Sequence, residues 1–313
     1  MPRETVVAAL LSLLLTVGAQ AASPPAFPAL SSVAVKAIVV ERPPGPDFYG
    51  RNVLGAIGPD DVRGIGSTAA IMTAVLAIEC AATPTPSWCR RGTKLDAAVR
   101  VGAFRRTDSL PELLAEGEIL SLLDLVYLMM LQSWIDAART IAEHLINCQG
   151  QGWSTSEASA EVCIRAFVDT MMKERAYTVG ISSRTVFRGP TGESDSTPRD
   201  LAILADHALK NPTFATIVGA PQRQVRWLTP AGKTRTLQNA LQHLDYPANA
   251  ARSVGVSGVK GGSSPDAGWN LVTSAVRSGR SVITVVMGEP TREATYVDTE
   301  KLLEFGFAFL RAR

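Results

Sequence analysis

The stretch GIGSTAAIMTAVLAIE, residues Gly64 to Glu79, decides the fold because it feeds a serine directly into the first turn of an apolar helix. Almost every side chain after Ser67 is apolar, so the predicted helix has no polar face and belongs in the core. Ala70 follows three residues later, and residues three apart on a helix share a face. An amine at that position would make the serine reactive, and alanine supplies none. Taken alone, a serine here is ordinarily a helix N-cap.

The composition is that of an ordinary globular protein with a sizeable core. The chain has 313 residues, of which 46% are hydrophobic and 19% are charged, and this length suits one domain or one domain with a small lobe. There are 31 basic and 29 acidic residues, which give a net charge of +2. Such a balanced charge argues against nucleic acid or an anionic membrane surface as a partner.

The N-terminus, MPRETVVAALLSLLLTVGAQAASPP, is typical of a secretory signal. It has Arg3 in a short basic region, an apolar run over Val6–Val17 and a small-residue cleavage site at Ala19–Ala21. A membrane anchor is the alternative, but a dozen apolar residues fall short of the roughly 20 that span a bilayer. We therefore expect a signal peptide over 1–21, a flexible segment over 22–32, and an exported, periplasmic or cell-envelope domain over 33–313 without a stable membrane anchor.

The rest of the chain predicts an antiparallel sheet covered by helices. VAVKAIVVE, residues 33–41, alternates like a strand, and the segment 110–145 is mainly helical. A second helix begins at Thr197 as N-cap, with proline at its first position, and ends near Asn211. The last third contains a strand over 253–262, two β-rich runs joined at Ser278-Gly279, and a terminal amphipathic helix. This order favours an α+β fold with a helical region over roughly 64–211.

Four cysteines follow the signal, at positions 80, 89, 148 and 163. In an oxidising compartment an even number favours disulfides, and the local pairings Cys80 with Cys89 and Cys148 with Cys163 close short loops. A zinc site is the alternative. The spacings contain no C-x-x-C unit and the three histidines lie far apart in sequence, so we prefer the local disulfides and expect no metal.

Four blocks, in order, resemble the D-alanyl-D-alanine carboxypeptidases, which are low-molecular-weight penicillin-binding proteins of the serine β-lactamase-like superfamily. The family's signatures are S-x-x-K, S-x-N and K-T-G. The similar blocks are STAAIMTAVLAIE, GEILSLLDLVYLMMLQSWIDAA, STPRDLAILADHAL and VSGVKGGSSPDAGWNLVTSAVRSGRSVITVVMG. The resemblance implies a five-stranded antiparallel sheet flanked by helices, a β-lactamase/transpeptidase-like fold, and a cofactor-free site that binds peptidoglycan stem peptides or β-lactams.

Three residues match the family's chemistry. Ser67 matches the nucleophile, Ser133 matches the serine that relays its proton, and Lys260 matches the cationic lysine of the K-T-G strand. By the same resemblance, the glycines that follow, Gly261 and Gly262, line the peptide-binding strand.

At three other positions of the family's motifs, this chain has a different residue. Ala70 replaces the lysine of S-x-x-K, Ile135 replaces the asparagine of S-x-N, and we assign Gly262 to the position of the threonine that helps to bind the terminal carboxylate. Trp134 occupies the place of a glycine, and we expect it to narrow the substrate cleft. Loss of a general base typically lowers the reaction rate by a factor of about 10² to 10⁴.

The sequence is therefore compatible with two functions. One is a serine carboxypeptidase that removes the terminal D-alanine of stem peptides through an acyl-enzyme on Ser67. In that case Lys260, acting through Ser133, is the candidate for the missing base. The other is a non-catalytic relative that binds peptidoglycan peptides or a cell-wall protein through the same cleft.

Overall fold

The computed structural model describes residues 23–42, 52–82, 89–103, 114–241 and 255–313. The signal peptide expected over 1–21 lies outside these ranges. The strands are β1 (Lys36–Arg42), β2 (Val53–Ile57), β3 (Arg63–Gly64), β4 (Ala98–Arg100), β5 (Ile119–Ser121), β6 (Asp195–Ser196), β7 (Gln222–Thr229), β8 (Thr234–Gln238), β9 (Val256–Ser264), β10 (Gly268–Arg277) and β11 (Arg280–Glu289). The helices are α1 (Ala70–Cys80), α2 (Leu122–Gln132), α3 (Ile135–Leu145), α4 (Glu157–Phe167), α5 (Lys173–Val179), α6 (Pro198–Leu209), α7 (Pro212–Gly219) and α8 (Arg292–Ala312).

The central layer is a five-stranded antiparallel sheet in the order β2-β1-β11-β10-β9. Its β10–β11 hairpin turns at Ser278 and Gly279, both with positive φ, which confirms the predicted junction. The α+β fold expected from the sequence is thus present, with β9 at one edge of the sheet.

Helices cover both faces of this sheet because alternate strand residues point in opposite directions. Ile38 and Val40 of β1 join the larger core that includes α1, α2, α3 and α6, whereas Ala37 and Val39 join a smaller core under α8. Within the larger core, every residue of α1 except Glu79 is buried, as the lack of a polar face predicts.

Short strands interrupt the region expected to be helical. β3, β4, β5 and β6 all lie within 64–211 or at its border, and β4 and β5 join β7 and β8 in a four-stranded sheet. The sequence analysis missed the β7–β8 hairpin. Of the side chains of β7 and β8, only Val225, Trp227 and Leu237 are buried, so the hairpin carries a weak hydrophobic signal.

Two residues of the segment over 23–32, which the sequence predicts to be flexible, contact α8. The ring of Phe27 lies 5.1 Å from that of Phe305 in α8, edge to face. The backbone N–H of Ser31 donates to the Asp298 carboxylate at 2.6 Å. Aromatic packing and a partly buried hydrogen bond hold Phe27 and Ser31 against α8.

The four cysteines form two pairs at disulfide distance, and these are the two local pairs preferred from the sequence. The Sγ atoms of Cys80 and Cys89 lie 2.04 Å apart, and those of Cys148 and Cys163 lie 2.05 Å apart. The first pair lies at the C-terminal end of α1, and the second links the segment after α3 to α4. None of the helices in the described ranges has the length and apolarity needed to cross a membrane.

Candidate active site

A cavity of about 230 Å³ is lined by the Ser67 turn, the C-terminal end of α2, strands β9 and β10, and the first turns of α8. Its walls include all three residues that match the family's chemistry, Ser67, Ser133 and Lys260. The remaining lining residues are Met130, Leu131, Ala240, Leu241, Gly261, Gly262, Ser263, Trp269, Asn270, Leu271, Arg292, Thr295 and Tyr296. The fold therefore brings together side chains separated by up to 193 residues between Ser67 and Lys260.

Ser67 lies in a tight 3₁₀ turn, Gly66–Ala69, that leads into α1. The cap of this turn is Ile65, so Ser67 is not the N-cap of the helix. In the described ranges no hydrogen bond involves the Ser67 hydroxyl, which faces the cavity. The serine is available to a ligand and has no base in direct contact.

Glycines let β9 approach this turn. A Cβ on Gly262 would lie 2.6 Å from the backbone nitrogen of Ser67, and one on Gly66, which has φ of +52°, would lie 2.7 Å from the backbone nitrogen of Ser263. Neither position can accept a Cβ, because contacts this short do not occur and the opposing backbone atoms cannot move aside. The two glycines therefore fix Ser67 beside the strand that carries Lys260.

This packing corrects the assignment of the threonine position. Starting from Lys260, the order K-T-G assigns the threonine to Gly261 and the motif's own glycine to Gly262. A Cβ on Gly261 would find its nearest neighbour, Cδ2 of Leu241, at an ordinary 3.7 Å. Gly262 is thus a steric requirement, and the missing hydroxyl belongs to position 261.

Ser133 ends α2 in the left-handed conformation, with φ of 61° and ψ of 34°. A non-glycine residue in this region is uncommon and occurs often at functional positions. Here the turn separates α2 from α3 and places the Ser133 Oγ in the cavity wall, where it accepts a hydrogen bond from the Lys260 Nζ.

Lys260 is almost fully buried, with 3% of its surface exposed. Its Nζ donates to Ser133 and, at 2.8 Å, to the carbonyl oxygen of Gly261. Burial disfavours the ammonium form and lowers the pKa of Lys260 to about 7. A substantial fraction of this amine is therefore neutral at neutral pH and can accept a proton.

Ala70 is fully buried within the larger core and is not part of the cavity wall. The position that carries the family's lysine thus offers no proton acceptor. Any base for Ser67 within the described lining must come from another element, and Lys260 is the amine found there.

Trp134 and Ile135 do not reach the cavity, so the expectation that they contact substrate and that Trp134 narrows the cleft is not what the structure shows. Trp134 packs against the core under the guanidinium of Arg235, whose carbon lies 5.1 Å from the ring centre. Ile135 is half-buried as the first residue of α3.

The polar cavity residues that the sequence analysis missed are Ser263, Asn270, Arg292, Thr295 and Tyr296, of which the last three lie in the first turns of α8. One signal in the sequence pointed to Arg292. Acidic residues are favoured in the first turn of a helix, so an arginine at its first position is anomalous. In the described chain, no group of three histidine, cysteine or acidic side chains is arranged to hold a metal ion.

Comparison with known proteins agrees with these motifs. Residues 20–291 match the family model described as D-alanyl-D-alanine carboxypeptidase. The chain is 30% identical over 258 residues to a D-alanyl-D-alanine carboxypeptidase of Streptomyces sp. strain K15, with 80% of each chain covered. It is 26% identical over 284 residues to one from Bacillus subtilis, covering 89% of this chain and 63% of that protein.

Solved structures show the same fold. The Streptomyces K15 DD-transpeptidase superimposes with a TM-score of 0.68 at 26% identity, covering 91% of this chain and all of the other. Penicillin-binding protein D2 from Listeria monocytogenes, in its ampicillin-bound form, superimposes with a TM-score of 0.64 at 24% identity, covering 90% and 99% of the two chains.

Proposed function

The chain belongs to the D-alanyl-D-alanine carboxypeptidase family, and from that premise we propose that it is a serine peptidase in which Lys260, acting through Ser133, replaces the missing base. The proposed substrates are peptidoglycan stem peptides that end in D-alanyl-D-alanine, and β-lactams are the proposed inhibitors. The observation that carries this proposal is the hydrogen bond between the Lys260 amine and the Ser133 hydroxyl in the wall of the cavity that holds Ser67.

The acylation step follows from that arrangement. The Ser67 Oγ attacks the carbonyl carbon of the scissile peptide bond as its proton passes to the Ser133 oxygen, while the Ser133 proton passes to the neutral Lys260 amine. When the tetrahedral intermediate collapses, the carbon–nitrogen bond breaks. The proton returns from Lys260 through Ser133 to the leaving amine, so D-alanine departs with a neutral or protonated amino group.

Deacylation uses the same residues in the same order. A water molecule replaces D-alanine, gives its proton to Lys260 through Ser133, and attacks the ester carbonyl. The proton then returns to the Ser67 oxygen and frees the shortened peptide. The burial that lowers the pKa of Lys260 to about 7 supports both steps, because a base works best when its pKa lies near the operating pH.

A second candidate function is binding without catalysis. Two observations favour it: Ala70 supplies no amine, and the described chain provides no hydrogen bond to the Ser67 hydroxyl. In that case the cavity retains stem peptides or a cell-wall protein partner without cleaving them.

We also propose that the protein works outside the cytoplasm. The basic, apolar and small-residue order of residues 1–21 supports export, and peptidoglycan lies beyond the cytoplasmic membrane. Release of a shorter mature chain whose N-terminus begins near Ala22 is the expected result of expression with a functional secretion system.

Labelling with a fluorescent penicillin separates the two candidates. The wild-type protein should become covalently labelled, and Ser67→Ala should not. Release of D-alanine from a diacetyl-lysyl-D-alanyl-D-alanine peptide should follow the same pattern. No labelling at high reagent concentration, together with no D-alanine release, would exclude the peptidase and leave binding as the function.

A further inference from the structure

Ser133 holds a backbone conformation that a serine rarely adopts. Its φ of 61° and ψ of 34° lie in the left-handed region, where a Cβ comes too close to the following carbonyl oxygen. Such a conformation persists only where the surrounding structure imposes it. The Ser133 hydroxyl meets the Lys260 amine from this conformation, so the contacts that impose it also determine the geometry of that hydrogen bond.

Both neighbours of Ser133 in the chain are attached to strand β8. The Gln132 side-chain amide donates to the carbonyl oxygen of Gln238, the last residue of β8, at 3.3 Å. On the other side, the guanidinium carbon of Arg235 in β8 lies 5.1 Å from the centre of the Trp134 ring. Ser133, between these two attachments, lines the cavity. Strand β8 therefore holds the turn on both sides of the serine.

Trp134 also closes the C-terminal end of α2. Its backbone N–H donates to the Leu128 carbonyl oxygen at 3.3 Å, and the N–H of Ser133 donates to that of Met129 at 3.1 Å. An apolar residue directly after a left-handed helix end commonly packs back on the helix. The half-buried Trp134 ring does so by packing against the larger core. Glycine, which the family resemblance places at this position, has no side chain for these contacts.

The hairpin that supplies Arg235 is anchored at a place outside the cavity. The Glu118 carboxylate, directly before β5, accepts a hydrogen bond from the Trp227 indole of β7 at 2.9 Å. It also accepts one from the Lys233 amine, between β7 and β8, at 2.6 Å. Charge-assisted hydrogen bonds to a largely buried carboxylate are strong, so the hairpin forms a support whose position does not depend on Ser133.

We propose that Trp134, clamped by Arg235, is a positioning residue that holds Ser133 in its left-handed conformation. From there the Ser133 hydroxyl meets the Lys260 amine. The inference rests on the proposed function, because the conformation matters for rate only if the proton passes through Ser133. Trp134 is outside the described lining of the cavity, so it acts through Ser133 and not on the ligand. Changing it should alter the chemical step and spare the initial binding.

The test measures the rate of penicillin acylation as a function of penicillin concentration. Saturation separates the limiting rate from the apparent dissociation constant of the initial complex. We expect Trp134→Leu to lower the limiting rate by about tenfold to a hundredfold and to change the dissociation constant by less than about twofold. Trp134→Phe keeps a ring for the guanidinium and should recover most of the rate.

Arg235→Gln tests the clamp itself. Alone, it should slow acylation in the same way as the loss of the Trp134 ring. Added to Trp134→Leu, it should lower the limiting rate further by less than about threefold, because the two side chains form one contact and their effects are not additive.

Tyr127→Leu is the matched control. The Tyr127 ring lies on α2, with the guanidinium carbon of Arg223 from the same hairpin 4.7 Å from its centre, and it is outside the described lining of the cavity. The substitution removes the same kind of contact between the same two elements. It should lower the free energy of unfolding, measured in urea, and leave the limiting rate per folded protein unchanged.

A second measurement does not require catalysis. In a Ser67→Ala background, NMR of isotope-labelled lysine follows the titration of Lys260, whose signal is assigned with Lys260→Arg. Burial lowers the pKa of this amine to about 7. Release of the Ser133 turn should admit water, so Trp134→Leu should raise the titration midpoint by at least about 0.5 in pH, whereas Tyr127→Leu should not.

The inference and the proposed function fail in different ways. A wild-type protein that penicillin does not label would refute the proposed function, and the Lys260 midpoint would then decide the inference. An unchanged limiting rate in Trp134→Leu, an equal loss in Tyr127→Leu, or an unchanged Lys260 midpoint in Trp134→Leu would overturn the inference. A lower rate and a raised midpoint in Trp134→Leu, with neither change in Tyr127→Leu, would support it.

Discussion

The Lys260 Nζ donates a hydrogen bond to the Ser133 Oγ, joining residues 127 positions apart in the wall of the cavity that contains Ser67. This bond links a buried amine to a hydroxyl at the helix junction. It offers the chain a proton acceptor on the sheet side of the cavity, whereas the helix position that would normally provide one is the buried Ala70.

Removing the hydroxyl between the serine and the amine should slow acylation strongly. We expect Ser133→Ala to lower the second-order rate of penicillin labelling by about 10² to 10⁴, because it interrupts proton transfer from Ser67 to Lys260. Stopped-flow or quenched-flow fluorescence gives this rate. Ser183→Ala, at an exposed turn outside the cavity, should leave it unchanged. Equal rates in Ser133→Ala and the wild type would show that the proton takes another path.

Restoring an amine on the helix should accelerate acylation and destabilise the fold. Ala70 is fully buried, so overpacking by Ala70→Lys should cost about 1 to 3 kcal/mol or more in the free energy of unfolding. Ala70→Met is the matched control, because the methionine side chain is similar in length to lysine but has no amine. Only the lysine variant should label faster than the wild type, when rates are normalised to folded protein. A faster rate in both variants, or in neither, would show that the amine at position 70 is not what limits acylation.

The two glycines after Lys260 should differ sharply in their tolerance of threonine. At 262 a Cβ would meet the backbone nitrogen of Ser67 at 2.6 Å, so Gly262→Thr should lower the free energy of unfolding by roughly 1 to 3 kcal/mol or more. At 261 the nearest atom is 3.7 Å away, and Gly261→Thr should be tolerated. Urea unfolding of the pair measures the contrast. Similar losses at both positions would contradict the close approach of β9 to the Ser67 turn.

A buried carboxyl group should make stability depend on pH. Burial, with a further contribution from the Asp298 carboxylate, raises the pKa of Glu289 from 4.5 to about 7. A raised carboxyl pKa means that the folded state binds the proton more tightly than the unfolded chain. This stabilising contribution is complete below about pH 4.5 and is lost as the pH rises through 7.

Glu289→Gln imitates the protonated group and should remove that dependence. Compared with the wild type, the variant should gain thermal stability at pH 8 relative to pH 5, as scanning calorimetry can measure. Glu116→Gln, an exposed substitution, should follow the wild-type curve at both values. A wild-type difference that persists unchanged in Glu289→Gln would assign the pH dependence to other groups.

The sequence predicted those features that depend on local pattern. The β10–β11 hairpin follows from Ser278-Gly279 between two β-rich runs, and the buried α1 follows from its lack of a polar face. The order of the motifs and the resemblance of their flanking blocks to a known family identified Ser67, Ser133 and Lys260, and the fold brings all three to one cavity.

Features that depend on tertiary packing were not predictable in the same way. The exclusion of Trp134 from the cavity depends on its stacking under Arg235, which is distant in sequence. The steric role of Gly262 appears only when the strand is placed against the backbone of Ser67. The lowered pKa of Lys260 similarly arises from burial that no local pattern records.

The central claim is that a neutral Lys260 amine, acting through Ser133, activates Ser67. The most direct test is the rate of penicillin acylation as a function of pH from 5 to 9, with the modified residue identified by peptide mapping. Because the pKa of Lys260 is about 7, the account predicts an adduct on Ser67 whose rate of formation rises about tenfold per pH unit below 7 and levels off above it. A rate independent of pH over this range, or no adduct on Ser67 at any pH, would contradict it.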